Sequence, residues 1–265
     1  MSPLALEGVS VQLDGTRVVD TIGLSVEAGE WVGLIGPNGA GKTTALRAVA
    51  GLVPYEGSIG VLGDEVASLS RREIARRVAY VPQDPVLPPD MTVIEYVLLG
   101  RTPHLGYSAA AGPRDVDACR LALGRLDAAH LADRRLGSLS GGERQRAVLA
   151  RSMAQSTSLL LLDEPTTALD VGAQQQVLEL ISTMRARGGL TVLSAMQDLT
   201  IAGQYADRLV LIDRGRVVAS GDAKDVLTEE TVARHYGASV RIVGDEETGL
   251  AVVPLRPKEA EERIP

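Results

Sequence analysis

The stretch GPNGAGKTT at residues 36–44 restricts the possible folds of this chain more than any other feature. Its glycines allow the backbone to curl so that successive N–H groups point at phosphate oxygens. The helix that follows adds a partial positive charge at its N-terminus. Lys42 is placed to reach the β- and γ-phosphates, and the Thr43 hydroxyl to bind Mg²⁺. The stretch therefore predicts a nucleotide site.

A glycine-rich turn without function is the alternative interpretation of this stretch. The local context disfavours it, because the apolar run WVGLI precedes the glycines and a helical pattern, KTTALRAVAGL, follows them. A nucleotide-binding loop of this kind lies between a strand and a helix. The predicted nucleotide-binding residues of the stretch are Gly36, Pro37, Asn38, Gly39, Ala40, Gly41, Lys42, Thr43 and Thr44.

The order of apolar patterns predicts an α/β fold, because strands alternate with helices along most of the chain. We expect a P-loop (RecA-like) nucleotide-binding core with an N-terminal antiparallel β subdomain and an inserted α-helical subdomain. The first thirty residues read as an antiparallel hairpin, and the strand in RVAYVPQ is expected to end at Gln83. The predicted division is a single domain at 1–240 (core 1–83 and 156–240, helical insert about 84–155), then a C-terminal hairpin and charged tail at 241–265.

Composition excludes several partners and compartments. The formal net charge is −7, so nucleic acid, which needs a basic face, is not an expected partner. The single cysteine, Cys119, cannot form an intrachain disulfide and fits a reducing compartment; we expect it to be buried in the insert. The first ten residues resemble no secretory signal, and no apolar run approaches the roughly 20 residues that span a bilayer. Any work at a membrane is therefore expected from the cytoplasmic side, through a partner.

The segment LLLLDEP at 159–165 supplies two adjacent carboxylates. Asp163 ends an apolar strand and can hold Mg²⁺ through water. Glu164 points in another direction, so it can orient or deprotonate the attacking water, a role worth about 10²–10⁴-fold in rate. Two acids that merely cap a strand are the alternative. The three histidines are far apart in the sequence and suggest no metal cluster.

The segment LSGGERQ at 139–145 predicts a second anion site. Ser140 and Glu143 have the spacing of a capping box at a helix start. Gly141 and Gly142 leave the first N–H groups of that helix uncovered. Two phosphate-binding helix ends cannot serve one nucleotide unless the insert folds back over it. We therefore expect a head-to-tail dimer in which Ser140, Gly141 and Gly142 of one copy cover the nucleotide of the other.

Together with YVPQ and the strand before MQDL, these motifs occur in the order found in ATP-binding subunits of ABC transporters, and the chain resembles that family from residue 4 to about 240. The resemblance implies ATP and Mg²⁺ as cofactors. It implies that Gln83 senses Mg²⁺ and the γ-phosphate and couples the core to the insert. It also implies that Ala168, Leu169 and Asp170 contact the opposite subunit.

Residues 91–106 and the segment LTEETVARHYGASVRIV resemble one group in particular, the importers of iron–siderophore complexes, haem or cobalamin. This resemblance implies a polytopic membrane permease as partner, a substrate-binding protein as an indirect one, and a peripheral position on the cytoplasmic face of the membrane. Within the marker GRTPH, Arg101 and His104 are either part of a solvated loop or a contact with the permease.

Gln197 in SAMQDL departs from the family pattern, which has histidine at this position to contact the γ-phosphate and hold the attacking water. Glutamine can donate a hydrogen bond over a similar reach, but it cannot become cationic and has an extra torsion. We expect Gln197 to slow hydrolysis and to leave nucleotide binding intact. Two other functions stay open: a nucleotide-gated module with little turnover, and a soluble ABC ATPase outside transport.

Leu13 stands where the family has an aromatic residue that stacks on adenine. Since base–aromatic stacking is worth about 1–3 kcal/mol, Leu13→Tyr should tighten ATP binding about tenfold, more than it tightens GTP binding. Fluorescence titration of both nucleotides measures this. Unchanged affinities for both would contradict the adenine contact and leave Leu13 as a core strand residue.

Overall fold

Short apolar runs form the central sheet of the computed structural model, which describes residues 2–106, 110–167, 169–245 and 249–256. Its strands are β3 (Trp31–Ile35), β6 (Val78–Val81), β7 (Leu159–Asp163), β8 (Thr191–Ala195), β9 (Arg208–Asp213) and β10 (Arg216–Gly221). Their order is β10-β9-β3-β8-β7-β6, and β10 pairs antiparallel with β9 whereas the other neighbours are parallel. Alternate residues enter two apolar clusters, for example Leu160 in one and Leu161 in the other, so both faces are covered.

A four-stranded antiparallel sheet, formed on either side of β3 and α1 in the sequence, flanks this core. Its strands are β1 (Leu4–Leu13), β2 (Thr16–Val26), β4 (Glu56–Val61) and β5 (Asp64–Glu65), in the order β2-β1-β4-β5. The predicted N-terminal hairpin is thus confirmed. Its register shifts near Val9, where Ser10 is buried and accepts a hydrogen bond from the Thr21 amide at 2.9 Å.

The helices outside the insert are α1 (Lys42–Val49), α2 (Arg71–Ala75), α6 (Val171–Gly188), α7 (Leu199–Tyr205), α8 (Ala223–Val226) and α9 (Glu229–Tyr236). Val177 and Ile181 of α6 are buried, so this helix packs an apolar face against the core. Among the helices in the described ranges, none has the length and apolar character to cross a membrane.

The insert is helical as expected and shares its apolar core with the central sheet. It contains α3 (Val93–Leu98), α4 (Pro113–Arg125), α5 (Gly141–Ala154) and 3-10 helices at Leu99–His104, Ala129–Leu131 and Leu136–Ser138. Tyr96 and Leu123 belong to the same buried cluster as Leu160. Cys119 is buried there too, and burial raises the pKa of its thiol to about 11. The strand before the insert ends at Val81, so its predicted end at Gln83 was wrong by two residues.

The predicted C-terminal hairpin is confirmed as β11 (Val240–Asp245) paired with β12 (Gly249–Pro254). The Val252 amide donates to the Thr200 hydroxyl of α7 at 2.9 Å, which fixes the hairpin on that helix. The charged tail from residue 257 onward lies outside the described residues.

Arg101 and His104 of the GRTPH marker pack inside the chain, so a solvated loop is the wrong description. Arg101 forms an ion pair with Asp115 at 3.0 Å, with side chains 14% and 16% exposed, and donates to the Ala154 carbonyl at 2.7 Å. His104 Nε2 lies 2.8 Å from the Gln155 carbonyl oxygen. Both residues therefore satisfy carbonyls at the C-terminus of α5, where a helix favours basic side chains.

Arg101→Ala should lower the thermal unfolding midpoint by about 5 °C, because it removes two charge-assisted hydrogen bonds and leaves buried acceptors unpaired. The matched control is Arg120→Ala. Arg120 approaches Asp117 at 3.9 Å with both side chains more than 70% exposed, and such a pair contributes little. Equal midpoints for the two variants, measured by circular dichroism, would refute the structural role of Arg101.

Candidate nucleotide-binding site

The loop between β3 and α1 requires glycine at two positions. Gly36 (φ 149°) and Gly41 (φ 104°) have backbone angles that favour glycine. A Cβ at residue 36 would overlap the carbonyl oxygen of Ile212, and one at residue 41 would lie 2.7 Å from that of Val18. At Gly39 the Cβ position has nothing within 4 Å. The loop thus forms an open backbone cradle, as a phosphate group needs.

Lys42, the first residue of α1, gives this cradle its positive charge. The side chain is 5% exposed, and Nζ donates to the carbonyls of Gly36 at 2.6 Å and Pro37 at 3.2 Å. Burial lowers the pKa of the Lys42 ammonium, while the carboxylates of Glu164 and Asp163 oppose that effect. A buried cation is stabilised by anionic partners, so the electrostatics of the loop favour a negatively charged ligand.

Asp163 joins the loop to the end of β7. It is 1% exposed, and its Oδ1 accepts a hydrogen bond from the Thr43 hydroxyl at 2.8 Å. Its Oδ2 accepts one from the Tyr80 hydroxyl at 3.0 Å. Burial raises the pKa of Tyr80 to about 12, although Arg47 acts against this, so the hydroxyl keeps its proton. The two predicted metal-site side chains, Thr43 and Asp163, therefore lie side by side.

Glu164 points away from Asp163, as the sequence led us to expect. Its φ of 49° is left-handed, a conformation that costs energy in a residue with a side chain and that often marks functional sites. Its Oε2 accepts hydrogen bonds from Gln83 Nε2 at 2.9 Å and from the Thr167 hydroxyl at 3.2 Å. Two donors thus hold the same carboxylate oxygen.

Gln197 lies just beyond β8, opposite the phosphate-binding loop. Its Nε2 is 3.4 Å from Asn38 Oδ1, a long hydrogen bond. Gln197 and Glu164 line the same cavity, so the amide is placed near the carboxylate that would orient water.

A cavity of about 330 Å³ brings most of the predicted site residues together. Its lining consists of Val18, Asn38, Gly39, Ala40, Gly41, Lys42, Thr43, Thr44, Gln83, Glu164 and Gln197. Leu13 is not among the lining residues in the described part of the chain; it is half-buried and packs against the apolar cluster of the N-terminal sheet. Its contact with adenine stays a prediction.

The second predicted anion site lies apart from this cavity. Ser140 caps α5: its hydroxyl accepts a hydrogen bond from the Glu143 amide, and its own amide donates to Glu143 Oε2 at 2.7 Å, which completes the capping box. A Cβ at Gly141 would meet Leu169 at 3.6 Å, so this helix end faces the start of α6. Asp170 caps α6 by accepting from the Ala173 amide at 2.8 Å.

Ser140, Gly141, Gly142 and Asp170 are therefore grouped on one surface that does not contribute to the cavity lining given above. Gly141 and Gly142 have room for a Cβ, because the nearest atoms would be 3.6 and 3.9 Å away. Packing within the chain does not explain why glycine stands at these two positions. Ala168, predicted to contact the opposite subunit, lies outside the described residues.

Sequence analysis missed three side chains of the site. Val18, on β2, lines the cavity, and a strand residue in a different sheet gives no local signal of this. Tyr80 and Thr167 hydrogen-bond to Asp163 and Glu164. Tyr80 is the first residue of the quoted motif YVPQ, and Thr167 lies two residues after LLLLDEP, so their places next to these motifs were the available signal.

The residues around Thr43 fit Mg²⁺ held in the manner of nucleotide-binding proteins. Mg²⁺ keeps several waters and takes one or two protein oxygens together with substrate phosphates. Thr43 and Asp163 offer such oxygens next to the phosphate cradle. In the described ranges there is no group of three or more His, Cys, Asp or Glu side chains arranged to hold a metal by themselves, and a nucleotide-dependent Mg²⁺ site needs none.

Comparison with known families gives a match to the ABC transporter family over residues 19–167. The cobalamin import ATP-binding protein of Halobacterium salinarum is 41% identical over 254 residues, covering 95% of this chain but 63% of that protein, so the chain spans less than two thirds of its length. The hemin import ATP-binding protein of Nocardia farcinica is 43% identical, covering 91% of this chain and 83% of that protein.

The fold also matches solved structures. A transporter assigned to the metal-chelate type of ABC transporters, in an inward-facing conformation, superposes with a TM-score of 0.84 at 26% identity. The match covers 97% of this chain and 99% of the other. The C-terminal hairpin and the helical insert are therefore included in the similarity.

Proposed function

Since the chain belongs to the ABC transporter family, we propose that it is the ATP-binding and ATP-hydrolysing subunit of an ABC importer. The observation that carries this proposal is the cavity in which the phosphate cradle, Lys42 and Glu164 meet, with Asp163 bonded to Thr43 beneath it. Anion binding, metal binding and activation of water are thus available within one site.

Iron–siderophore complexes, haem or cobalamin are the proposed cargo. Support comes from relatives described as importers of cobalamin and hemin and from the structural neighbour assigned to the metal-chelate type. We propose a polytopic membrane permease and a second copy of the chain as direct partners, and a substrate-binding protein as an indirect one. The chain would then act peripherally, on the cytoplasmic face of the membrane.

The proposed mechanism follows from the contacts in the cavity. Lys42 and the loop amides would bind and orient the ATP phosphates, and Thr43 and Asp163 would hold Mg²⁺, which would supply counter-charge to the phosphoryl group. Glu164 orients the attacking water and accepts its proton. Gln83, bonded to Glu164 at 2.9 Å, begins the connection to the insert and so reports the state of the site to the permease side.

Gln197 favours a second candidate function, a module that closes on ATP with little turnover. Its amide lies 3.4 Å from Asn38 of the loop, and because it is neutral it cannot form with a γ-phosphate the hydrogen bond from a cationic donor that a protonated histidine forms. Such a bond is typically worth about 1.5–3 kcal/mol, which corresponds to roughly 10–150-fold in rate if it acts in the transition state alone.

The second copy is proposed because each chain is expected to supply one part of each of two shared nucleotide sites: the phosphate loop for one and the α5 helix start for the other. Ser140, Gly141 and Gly142 present a capped helix start away from the cavity, and glycine is not required there by packing within the chain. A head-to-tail dimer would place this helix start on the γ-phosphate of the other copy. Asp170 and its loop would then lie at the interface.

Gln197→His should raise the steady-state ATP hydrolysis rate of the purified chain about 10-fold to 100-fold at saturating Mg-ATP. Glu164→Gln is the control: it should lower the hydrolysis rate by about 10²–10⁴-fold, while fluorescent ATP still binds.

Equal hydrolysis rates for the native chain and Gln197→His would show that Gln197 replaces the histidine without loss of rate. Absence of turnover in the native chain, restored by histidine, would favour the ATP-gated module. If the chain is purified from cells together with soluble partners only, the proposed transport function is contradicted.

ATP should dimerise the Glu164→Gln chain, and Gly142→Asp in that background should keep it monomeric, because the added carboxylate repels the phosphate of the partner copy. Light scattering during gel filtration measures the mass. Gly124→Asp is the control, since its Cβ position on α4 has nothing within 4 Å. A Gly142→Asp variant that binds ATP and still dimerises would refute the head-to-tail arrangement.

A further inference from the structure

We propose that Tyr80 is a positioning residue for the metal: its hydroxyl donates to Asp163 Oδ2 and thereby keeps the other carboxylate oxygen beside Thr43. The inference rests on the proposed function, because it concerns the Mg²⁺ that accompanies ATP. The two hydrogen bonds to Asp163 measure 3.0 Å from Tyr80 and 2.8 Å from Thr43.

The strand register explains why Tyr80 reaches Asp163. Tyr80 of β6 is the partner of Leu161 in β7. Side chains two residues apart on a strand share a face, so Asp163 projects on the same side as Leu161. Diagonal neighbours of this kind are within reach of a long aromatic side chain. The contact therefore belongs to the sheet and does not depend on a loop conformation.

The contact controls the rotation of a carboxylate that is shielded from bulk solvent. Asp163 is 1% exposed, so each of its oxygens needs a protein donor. With Tyr80 on Oδ2, Oδ1 takes the Thr43 proton and leaves the lone pairs of the Thr43 hydroxyl free for a metal. Without the tyrosine hydroxyl, Oδ2 would be unpaired and the carboxylate could rotate to satisfy it.

Tyr80 and Gln83 would have separate roles although they are three residues apart. β6 ends at Val81, so Tyr80 lies inside the sheet whereas Gln83 lies outside it, at the start of the insert. Gln83 contacts Glu164, not Asp163. Movement of the insert would therefore displace Gln83 relative to Glu164 and leave the carboxylate of Asp163 in place.

The test measures metal affinity separately from hydrolysis. Mn²⁺ serves as the probe for Mg²⁺, and electron paramagnetic resonance counts the bound ion in the presence of a saturating non-hydrolysable ATP analogue. Tyr80→Phe keeps the ring and should raise the Mn²⁺ dissociation constant about tenfold. Affinity for the analogue in EDTA should change by less than about twofold, since Tyr80 does not line the phosphate cavity.

Tyr55→Phe is the matched control, because the Tyr55 hydroxyl also donates to a carboxylate, Glu65 Oε1 at 3.1 Å, but in the N-terminal sheet. It should leave the Mn²⁺ affinity unchanged. An unchanged Mn²⁺ affinity in Tyr80→Phe would overturn the role of Tyr80 and leave the proposed function standing. An equal loss of Mn²⁺ affinity in Tyr55→Phe would do the same. A native chain that binds neither the analogue nor Mn²⁺ overturns the proposed function itself. Thermal midpoints of both variants show whether the fold is retained.

Discussion

The hydrogen bond between Thr43 and Asp163 connects the two motifs on which the site depends. The two residues are 120 positions apart in the sequence, and the Thr43 hydroxyl lies 2.8 Å from Asp163 Oδ1. The hydrogen bond can form because β3, which delivers the loop, and β7, which ends in Asp163, both pair in parallel with β8. Parallel strands end at the same edge, and ligands of open α/β sheets bind there. The phosphate cradle, the predicted metal-site carboxylate Asp163 and Gln197 therefore lie together at the ends of neighbouring strands.

The shared apolar core makes the helical insert part of the same body. Buried residues of the insert such as Tyr96 pack in one cluster with Leu160 of the central sheet. Arg72 of α2 and Arg76, just after that helix, add polar contacts, since both donate to the Pro103 carbonyl, at 2.9 and 2.8 Å. The insert is thus held at its outer end by the GRTPH segment and at the site by the Gln83–Glu164 contact. Under the proposed function, these two attachments would pass a change at the cavity to the permease.

Sequence patterns predicted those features whose physical cause is local. The capping box of Ser140 and Glu143 forms as its spacing requires, and the glycines at 36 and 41 meet a backbone that excludes a Cβ. The environment of Arg101 was left open because its partner Asp115 and the end of α5 are brought to it by packing of the insert. A charged residue in a short 3-10 helix gives no local sign that its side chain is largely covered.

The sequence by itself determined the fold class, the phosphate loop, the pair of acids and the presence of a second capped helix start. Each depends on residues close together in the chain, where spacing fixes geometry. Tertiary structure alone decided that Tyr80 meets Asp163, that Val18 lines the cavity and that Leu13 does not. These contacts depend on strand order and register, which are set by how all the apolar faces are buried together.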